Sequence, residues 1–359
     1  MVYGATGFSG RMIAEQLQQS GRDVVLAGRD ATRLGALAHD LRLPHRVFDL
    51  ADIGRIGHGL ADIHVLVNAA GPLVDTAPVL IDACIAARTH YLDLAGEWPV
   101  YVTAQNRGRE AAAAGVTLLP GVGFAIVASD CLLAHAAKEA KEAVLLRVAI
   151  SRPSVMSRGT LRSLLALTSR TVVVRRHGAL VHLPAGQLER SFDFGDGLRT
   201  CAAVSWPDVV TAQHTTGIDS IEIYAEADWL MRAVYRGGAL AAGIFDEAPV
   251  QRSLQLLGAL WPAFPSPAAR DAAGHVIVAE AVDRWRRPRW FRLRTRDGYI
   301  VTARAADAIA ARVLAGEMAP GFCTPAGLYG ARLIADIGCA WFDDPPPAPT
   351  PKPEGERFT

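Results

Sequence analysis

Apolar residues in the first part of the chain come in short unbroken runs, each followed by a stretch where they recur at helical spacing. The runs at Met1–Tyr3, Asp23–Gly28, Arg46–Asp49, His64–Asn68, His90–Asp93 and Val116–Leu119 predict strands. Between them, Arg11–Gly21, Ala31–Leu41, Pro78–Ala87 and Val102–Ala114 predict helices. Strands without polar alternation that take turns with helices form a parallel sheet covered on both faces. Past Val144 the rhythm changes. Strand-like segments at 144–150, 171–178, 275–282 and 289–296 mix with helices at Arg158–Thr168 and Trp229–Ala242, which predicts an antiparallel or mixed sheet. Helices at Thr302–Ala315 and Ala326–Gly338 are placed to return to the first unit, and a proline-rich charged tail ends the chain. The expected fold class is α/β: an N-terminal doubly wound parallel sheet over residues 1–125, an α+β second domain over 126–301, C-terminal helices over 302–342 and a mobile tail over 343–359.

The most informative local pattern lies between the first two elements. Gly4, Gly7 and Gly10 stand three apart, with Ala5, Thr6, Phe8 and Ser9 between them. A strand that stops, turns tightly and starts a helix presents free helix amides to a pyrophosphate. Glycine is needed there for the turn, for the approach of the phosphates and for helix–strand packing. Only Met1, Val2 and Tyr3 precede the turn. That is short for a central strand, so a clipped strand or further upstream residues are expected, with no room for a leader before the turn.

The end of the second strand chooses the cofactor. An acid there grips a ribose 2′-OH, whereas an arginine accommodates a 2′-phosphate. Arg29 occupies the place expected for the acid, with Arg33 one helical turn on, which favours NADP. Asp30 keeps NAD open. Asp49 and Leu50 end the third strand, where an adenine rests or a helix is capped. Asn68, Ala69, Ala70, Gly71 and Pro72 end the fourth and line the nicotinamide side.

Acid–base candidates cluster on the fifth strand. Tyr91 and Asp93 share one face of it, His90 and Leu92 the other, and Glu97 follows. Tyr91, Asp93 and Glu97 are the favoured catalytic candidates, weighed against interdomain hydrogen bonding. No tyrosine has a lysine four residues on, so a Tyr/Lys reductase mechanism is excluded.

Bulk composition removes other classes. Lys+Arg total 37 against 36 Asp+Glu, so no net charge draws the chain to nucleic acid or a membrane. Arginines crowd 284–296, but Trp290, Arg292, Arg294 and Arg296 alternate with Phe291, Leu293 and Thr295, as on an amphipathic strand. A docking face for an acidic carrier protein or for coenzyme A phosphates is the minor reading of that segment. The uncharged stretch Ala111–Ser129 has the length of a membrane span, but Pro120, Gly121 and Gly123 interrupt it. Five dispersed cysteines without a CxxC argue for free thiols in a reducing, cytoplasmic setting and against a metal site.

Four strings together resemble the saccharopine dehydrogenase-like oxidoreductases, a group that includes the trans-acting enoyl reductases of actinobacterial lipid synthesis. They are Asn68–Pro72 (NAAGP), Cys84–Glu97 (CIAARTHYLDLAGE), Leu119–Phe124 (LPGVGF) and Thr324–Gly330 (TPAGLYG). The resemblance runs from Met1 to Phe342. It implies a Rossmann domain, an inserted α+β domain, C-terminal helices returning to the first, and a nicotinamide dinucleotide, usually NADP. One departure stands out. The family often reads GFDSxPSD where this chain has Gly123-Phe124-Ala125-Ile126-Val127-Ala128-Ser129-Asp130. The expected function is NADP(H)-dependent reduction of a C=C or C=N bond, in an enoyl thioester, imine or carbonyl substrate of lipid or specialised metabolism. The alternative is a non-catalytic dinucleotide-binding sensor or partner subunit. Expected partners are a small-molecule or acyl-thioester substrate, with a homodimer as an open option; nucleic acid and stable membrane insertion are not expected.

Overall fold

A computed structural model describes residues 1–151, 171–228, 232 and 274–345. The helix expected at Arg158–Thr168, nearly all of that at Trp229–Ala242, and the tail from 346 onward lie outside the described residues. Two sheets organise the rest. The first has seven parallel strands in the order β15-β6-β5-β4-β1-β2-β3. These are β1 (Val2–Tyr3), β2 (Leu26–Gly28), β3 (His45–Val47), β4 (Val65–Asn68), β5 (His90–Asp93), β6 (Thr117–Leu119) and β15 (Gly321–Phe322). Strand β1 pairs with both β2 and β4, so the strand order reverses there. A ligand crevice opens at such a reversal, outside the carboxyl ends of the strands. The expected doubly wound sheet is therefore present, with short strands and an exposed edge at β3.

The helices of this unit are α1 (Phe8–Gln19), α2 (Ala31–Leu41), α3 (Ile53–Leu60), α4 (Leu73–Ala87), α5 (Trp98–Asn106), α6 (Gly108–Ala114) and α7 (Phe124–Glu139). Helix α3 is missing from the pattern reading because Gly54, Gly57 and Gly59 mask it. Gly59 is there for packing: a Cβ would come within 2.6 Å of the Phe48 ring. Helix α4 starts five residues before Pro78 and carries that proline inside. The single helix expected over Val102–Ala114 is two, which share Arg107 as a joint.

The second sheet is mixed and nine-stranded, with the path β10-β11-β12-β7-β13-β14-β16 and a β8–β9 hairpin attached through β12. Its members are β7 (Ala143–Ile150), β8 (Thr171–Arg176), β9 (Ala179–Pro184), β10 (Glu189–Asp193), β11 (Leu198–Ala203), β12 (Ile221–Glu226), β13 (Gly274–Asp283), β14 (Pro288–Arg296) and β16 (Ala340–Phe342). Among the described strands of this sheet only β7 and β12 run parallel. One face of this sheet packs on α7, which is buried along nearly its whole length and also meets α8 (Asp208–Thr216) and α9 (Gly298–Leu314). The arginine-rich segment is strand β14, as its alternation predicts, with Phe291, Leu293 and Thr295 buried. Arg292 and Arg294 both reach the Asp343 carboxylate, at 3.1 and 2.7 Å.

The C-terminal segment serves both sheets. Strand β15 extends the first beside β6. Helix α9 packs on α1. The helix expected over Ala326–Gly338 is broken at Gly330 into α10 (Pro325–Tyr329) and α11 (Leu333–Asp336). Strand β16 then joins the second sheet beside β14.

The Ser129-Asp130 pair of the family-like string belongs to this framework. Both residues are fully buried on α7. Asp130 accepts from the Thr215 hydroxyl at 2.6 Å and from the Ala326 N–H at 2.7 Å, which ties α7 to α8 and α10. Ser129 donates to Asp208 at 2.9 Å. Burial pushes the Asp130 carboxyl up to about 6, against the hydrogen bonds from Thr215 and Ala326. Asp208 is raised by burial first and by Asp130 second.

The folded protein therefore keeps protons that the unfolded chain has released. The stability these acids contribute is full below the ordinary carboxylate range and is lost as pH rises through about 6. Asp130→Asn is expected to flatten the fall in stability over that interval, read from denaturant midpoints at a series of pH values. An unaltered slope would show that Asp130 titrates normally.

Candidate active site

The nucleotide turn is built by backbone contact. Gly4 sits at φ 83°, and a Cβ on it would lie 2.6 Å from the Ala70 nitrogen and 2.8 Å from the Ala69 carbonyl carbon. A Cβ on Gly10 would lie 2.3 Å from the Gly4 carbonyl oxygen. The first turn of α1 thus presses on β1, and β1 on the exit of β4. Gly7, the residue before α1, is exposed and makes no side-chain cap, and no acid stands in the first turn. A helix start without a side-chain cap or an acid suits an anion. Ala5, Thr6, Phe8 and Ser9 complete the loop, with Ala5 buried.

The two arginines flank this loop. Arg29 is exposed at the end of β2 and makes no ion pair with Asp30 or Asp49 among the described residues. Arg33 reaches back to the Thr6 carbonyl at 3.4 Å. Asp30 caps α2 by accepting the Arg33 N–H at 3.0 Å. Asp49 accepts the Ala51 N–H at 2.9 Å, and Leu50 is partly buried against the core. The local acids are thus engaged with backbone while Arg29 stays available. Asp49 and Arg29 act in opposite directions on the Tyr3 phenol, which burial pushes up to about 12. A glycine cradle, a helix start without a side-chain cap and an arginine with no ion pair among the described residues fit a dinucleotide with an extra phosphate.

Across the reversal point, the β4 exit is held by Asn68. Its amide donates to Thr76 at 3.1 Å and to the Tyr91 hydroxyl at 3.2 Å, and its oxygen accepts the Ala70 N–H at 3.1 Å. Gly71 and Pro72 are exposed, and Pro72 immediately precedes α4. Tyr91 donates to Asp93 at 2.9 Å, and Asp93 accepts the Ala95 and Gly121 N–H groups, both at 2.8 Å. Strand alternation thus places Tyr91 and Asp93 together, as expected, but both are fully buried. Burial first, then the Asp93 charge, raises the Tyr91 phenol far above its ordinary value. Burial likewise pushes Asp93 up to about 6. The pair joins the carboxyl ends of β4, β5 and β6 from beneath. Glu97 is partly exposed and accepts the Gly96 N–H at 2.9 Å. His90 opens β5 at the end away from the crevice and accepts the Thr117 N–H at 3.1 Å.

Aromatic groups from distant segments meet at the starts of α1 and α7. Phe8 meets Tyr299 edge-on at 5.0 Å. Phe124 stacks on His275 at 4.5 Å. Trp206 donates to the Ala125 carbonyl at 2.9 Å. Tyr299, His275 and Trp206 carry no local signal in the sequence, whereas Phe8 stands in the glycine turn and Phe124 in the LPGVGF string. At the family-like string, Ala125 is partly exposed at the start of α7, whereas Ile126 lies in the core. Among the described residues no metal-ligand cluster forms, and no helix is long and apolar enough to cross a membrane.

Residues 1–119 match the family model described as the saccharopine dehydrogenase NADP binding domain. A Mycobacterium tuberculosis protein with the provisional name trans-acting enoyl reductase is 34% identical over 151 residues, 39% of this chain and 36% of that protein. The trans-acting enoyl reductase of Mycobacterium leprae is 32% identical over 140 residues, 36% of this chain and 33% of its own length. The chain thus spans little more than a third of the curated relatives it matches. The saccharopine dehydrogenase (L-Glu forming) of Saccharomyces cerevisiae shares the fold over 95% of this chain and 99% of its own, with a TM-score of 0.62 at 13% identity.

The buried network sets a stability test. Tyr91→Phe removes the hydroxyl between Asn68 and Asp93 and strips a buried carboxylate oxygen of its partner. The expected loss is about 1–3 kcal/mol in urea unfolding, and an unchanged midpoint would show that the network contributes nothing net.

Proposed function

We propose that this chain is a saccharopine dehydrogenase-like oxidoreductase that reduces a C=C or C=N bond of a small or acyl-thioester substrate with NADPH, in the cytoplasm. The observation that carries this is the glycine cradle at Gly4 and Gly10 together with exposed Arg29 at the end of the neighbouring strand β2. Residues 1–125 hold the nucleotide, and the second sheet, packed on α7, closes over it. The amides of α1 take the pyrophosphate, and Arg29 with Arg33 takes the 2′-phosphate. Asp49 and Leu50 border the adenosine, and Asn68–Pro72 border the nicotinamide. A bound reduced nicotinamide supplies the hydride; the protein orients it and excludes water. Tyr91 and Asp93 act as positioning residues that hold the strand ends in register. Glu97, the one member of that trio with access to solvent, is the candidate to touch substrate.

A second reading, a dinucleotide-binding sensor or partner subunit without turnover, draws on the burial of Tyr91 and Asp93, which leaves neither as an accessible proton donor. Oxidation of NADPH by any member of a panel of enoyl thioesters, cyclic imines and ketones favours the enzyme. Tight binding without turnover across the panel favours the sensor.

Arg29→Ala tests the cofactor assignment. A hydrogen bond to a charged group is worth about 1.5–3 kcal/mol. NADPH affinity is therefore expected to fall about ten- to hundredfold while NADH affinity holds, as measured by fluorescence titration. Equal losses for both nucleotides would remove Arg29 from the 2′-phosphate site.

A further inference from the structure

We infer that the tip of the β13–β14 hairpin, with the end of α7 beside it, is a docking surface for anionic phospholipid headgroups that holds the protein peripherally at a bilayer.

The tip runs from Arg284 to Arg289, and every residue in it is exposed. Asp283 fixes its shape. The Asp283 carboxylate accepts the Trp285 and Arg287 N–H groups, both at 2.9 Å, and the Arg287 guanidinium at 2.7 Å. Trp285 is thereby held out in solvent, 55% exposed, instead of folding back on the sheet. The guanidinium carbons of Arg284 and Arg287 lie 4.9 and 4.6 Å from its ring centre. A second segment adjoins the first. Ala143 pairs with Asp283, and Arg289 donates to the Glu139 carbonyl, so the end of α7 and the start of β7 stand beside the tip. Val144, the residue after Ala143, is an exposed large apolar side chain as well.

Charge is concentrated here. Residues 138–142 and 283–289 carry six cations against three carboxylates, a net +3, whereas the whole chain carries +1. A positive corner with an exposed indole fits a negative surface, and the size of the corner selects which one. A stable contact with an acidic protein uses a broad, shape-matched face of about 800 Å² on each partner. The tip offers one indole and one valine as large apolar groups. A headgroup layer asks for no shape match: the indole rests at the interface, and the arginines take the lipid phosphates. The surface is also separate from the crevice. Strand β13 carries the tip about 25 Å beyond His275, whose ring meets Phe124. The inference therefore stands apart from the cofactor reading.

The test is flotation of the full chain with phosphatidylcholine vesicles, made with and without about 30% phosphatidylglycerol. The wild type is expected to float with the anionic vesicles and to stay behind with the neutral ones. Raising the salt to about 0.5 M should release most of it. Arg284→Ser combined with Arg286→Asn should weaken vesicle binding about twenty- to thirtyfold, at about fivefold per arginine. Asparagine tolerates the left-handed backbone that Arg286 adopts at φ 63°. Trp285→Ala should weaken binding about tenfold, because the indole no longer enters the interface. These side chains are exposed, so melting temperature and NADPH affinity, measured on the same samples, should hold in both variants. A wild type indifferent to anionic vesicles overturns the proposal, and so do variants that bind them as tightly as the wild type. Capture of the wild type by an acidic acyl carrier protein, without vesicle binding, also overturns it and gives the tip to a protein partner.

Discussion

Everything near the crevice depends on one close approach of backbone to backbone. The Gly4 carbonyl oxygen occupies the space where a side chain on Gly10 would begin, and the Ala69–Ala70 peptide occupies the space beside Gly4. Helix α1, strand β1 and the exit of β4 are therefore locked at contact distance, with no side chain between them. That lock aims the uncapped end of α1 over the reversal point of the sheet. It also sets how far Arg29 and Arg33, on the next strand and helix, stand from whatever the loop holds. A packed interior cannot absorb even a methyl group there without moving one of the three elements.

The second constraint is helix α7, packed on the second sheet and against α8, α9 and α10. Its buried carboxylate at Asp130 accepts from α8 and from the start of α10, so segments far apart in the chain meet on one side chain. A buried acid is an expensive way to make a joint. Here each oxygen of Asp130 has a donor, and the cost appears as a raised proton affinity in place of an unpaired charge. The same helix carries Phe124 and Ala125 at its open end, on the crevice wall. One element thus carries both that joint and, at its apolar start, the place where this chain departs from the family-like string.

Candidate chemistry was legible in unequal measure. The glycine turn was plain because its requirement is local: three glycines, a strand before and a helix after. Arg29 was legible by its distance along the chain from the turn. Tyr91 and Asp93 were correctly placed on one face by strand alternation, but alternation carries no information on depth. Both are sealed under the strand ends by Asn68, Ala95 and Gly121. His275, Trp206 and Tyr299 were invisible as a group because three separate elements deliver them.

Taken alone, the order of residues determined the alternation of strand and helix, the parallel first sheet, the glycine turn between β1 and α1 and the change of architecture past Val144. Each of these is set by periodicity or by a short-range conformational need. Only the tertiary structure decided that α3 forms despite its glycines, since Phe48 needs the space a Cβ would fill. It alone decided that Gly321–Phe322 and Ala340–Phe342 become edge strands of different sheets, because runs that short are stabilised by the neighbours they pair with. It also decided which polar side chains reach the crevice, since depth depends on what the rest of the chain lays over them.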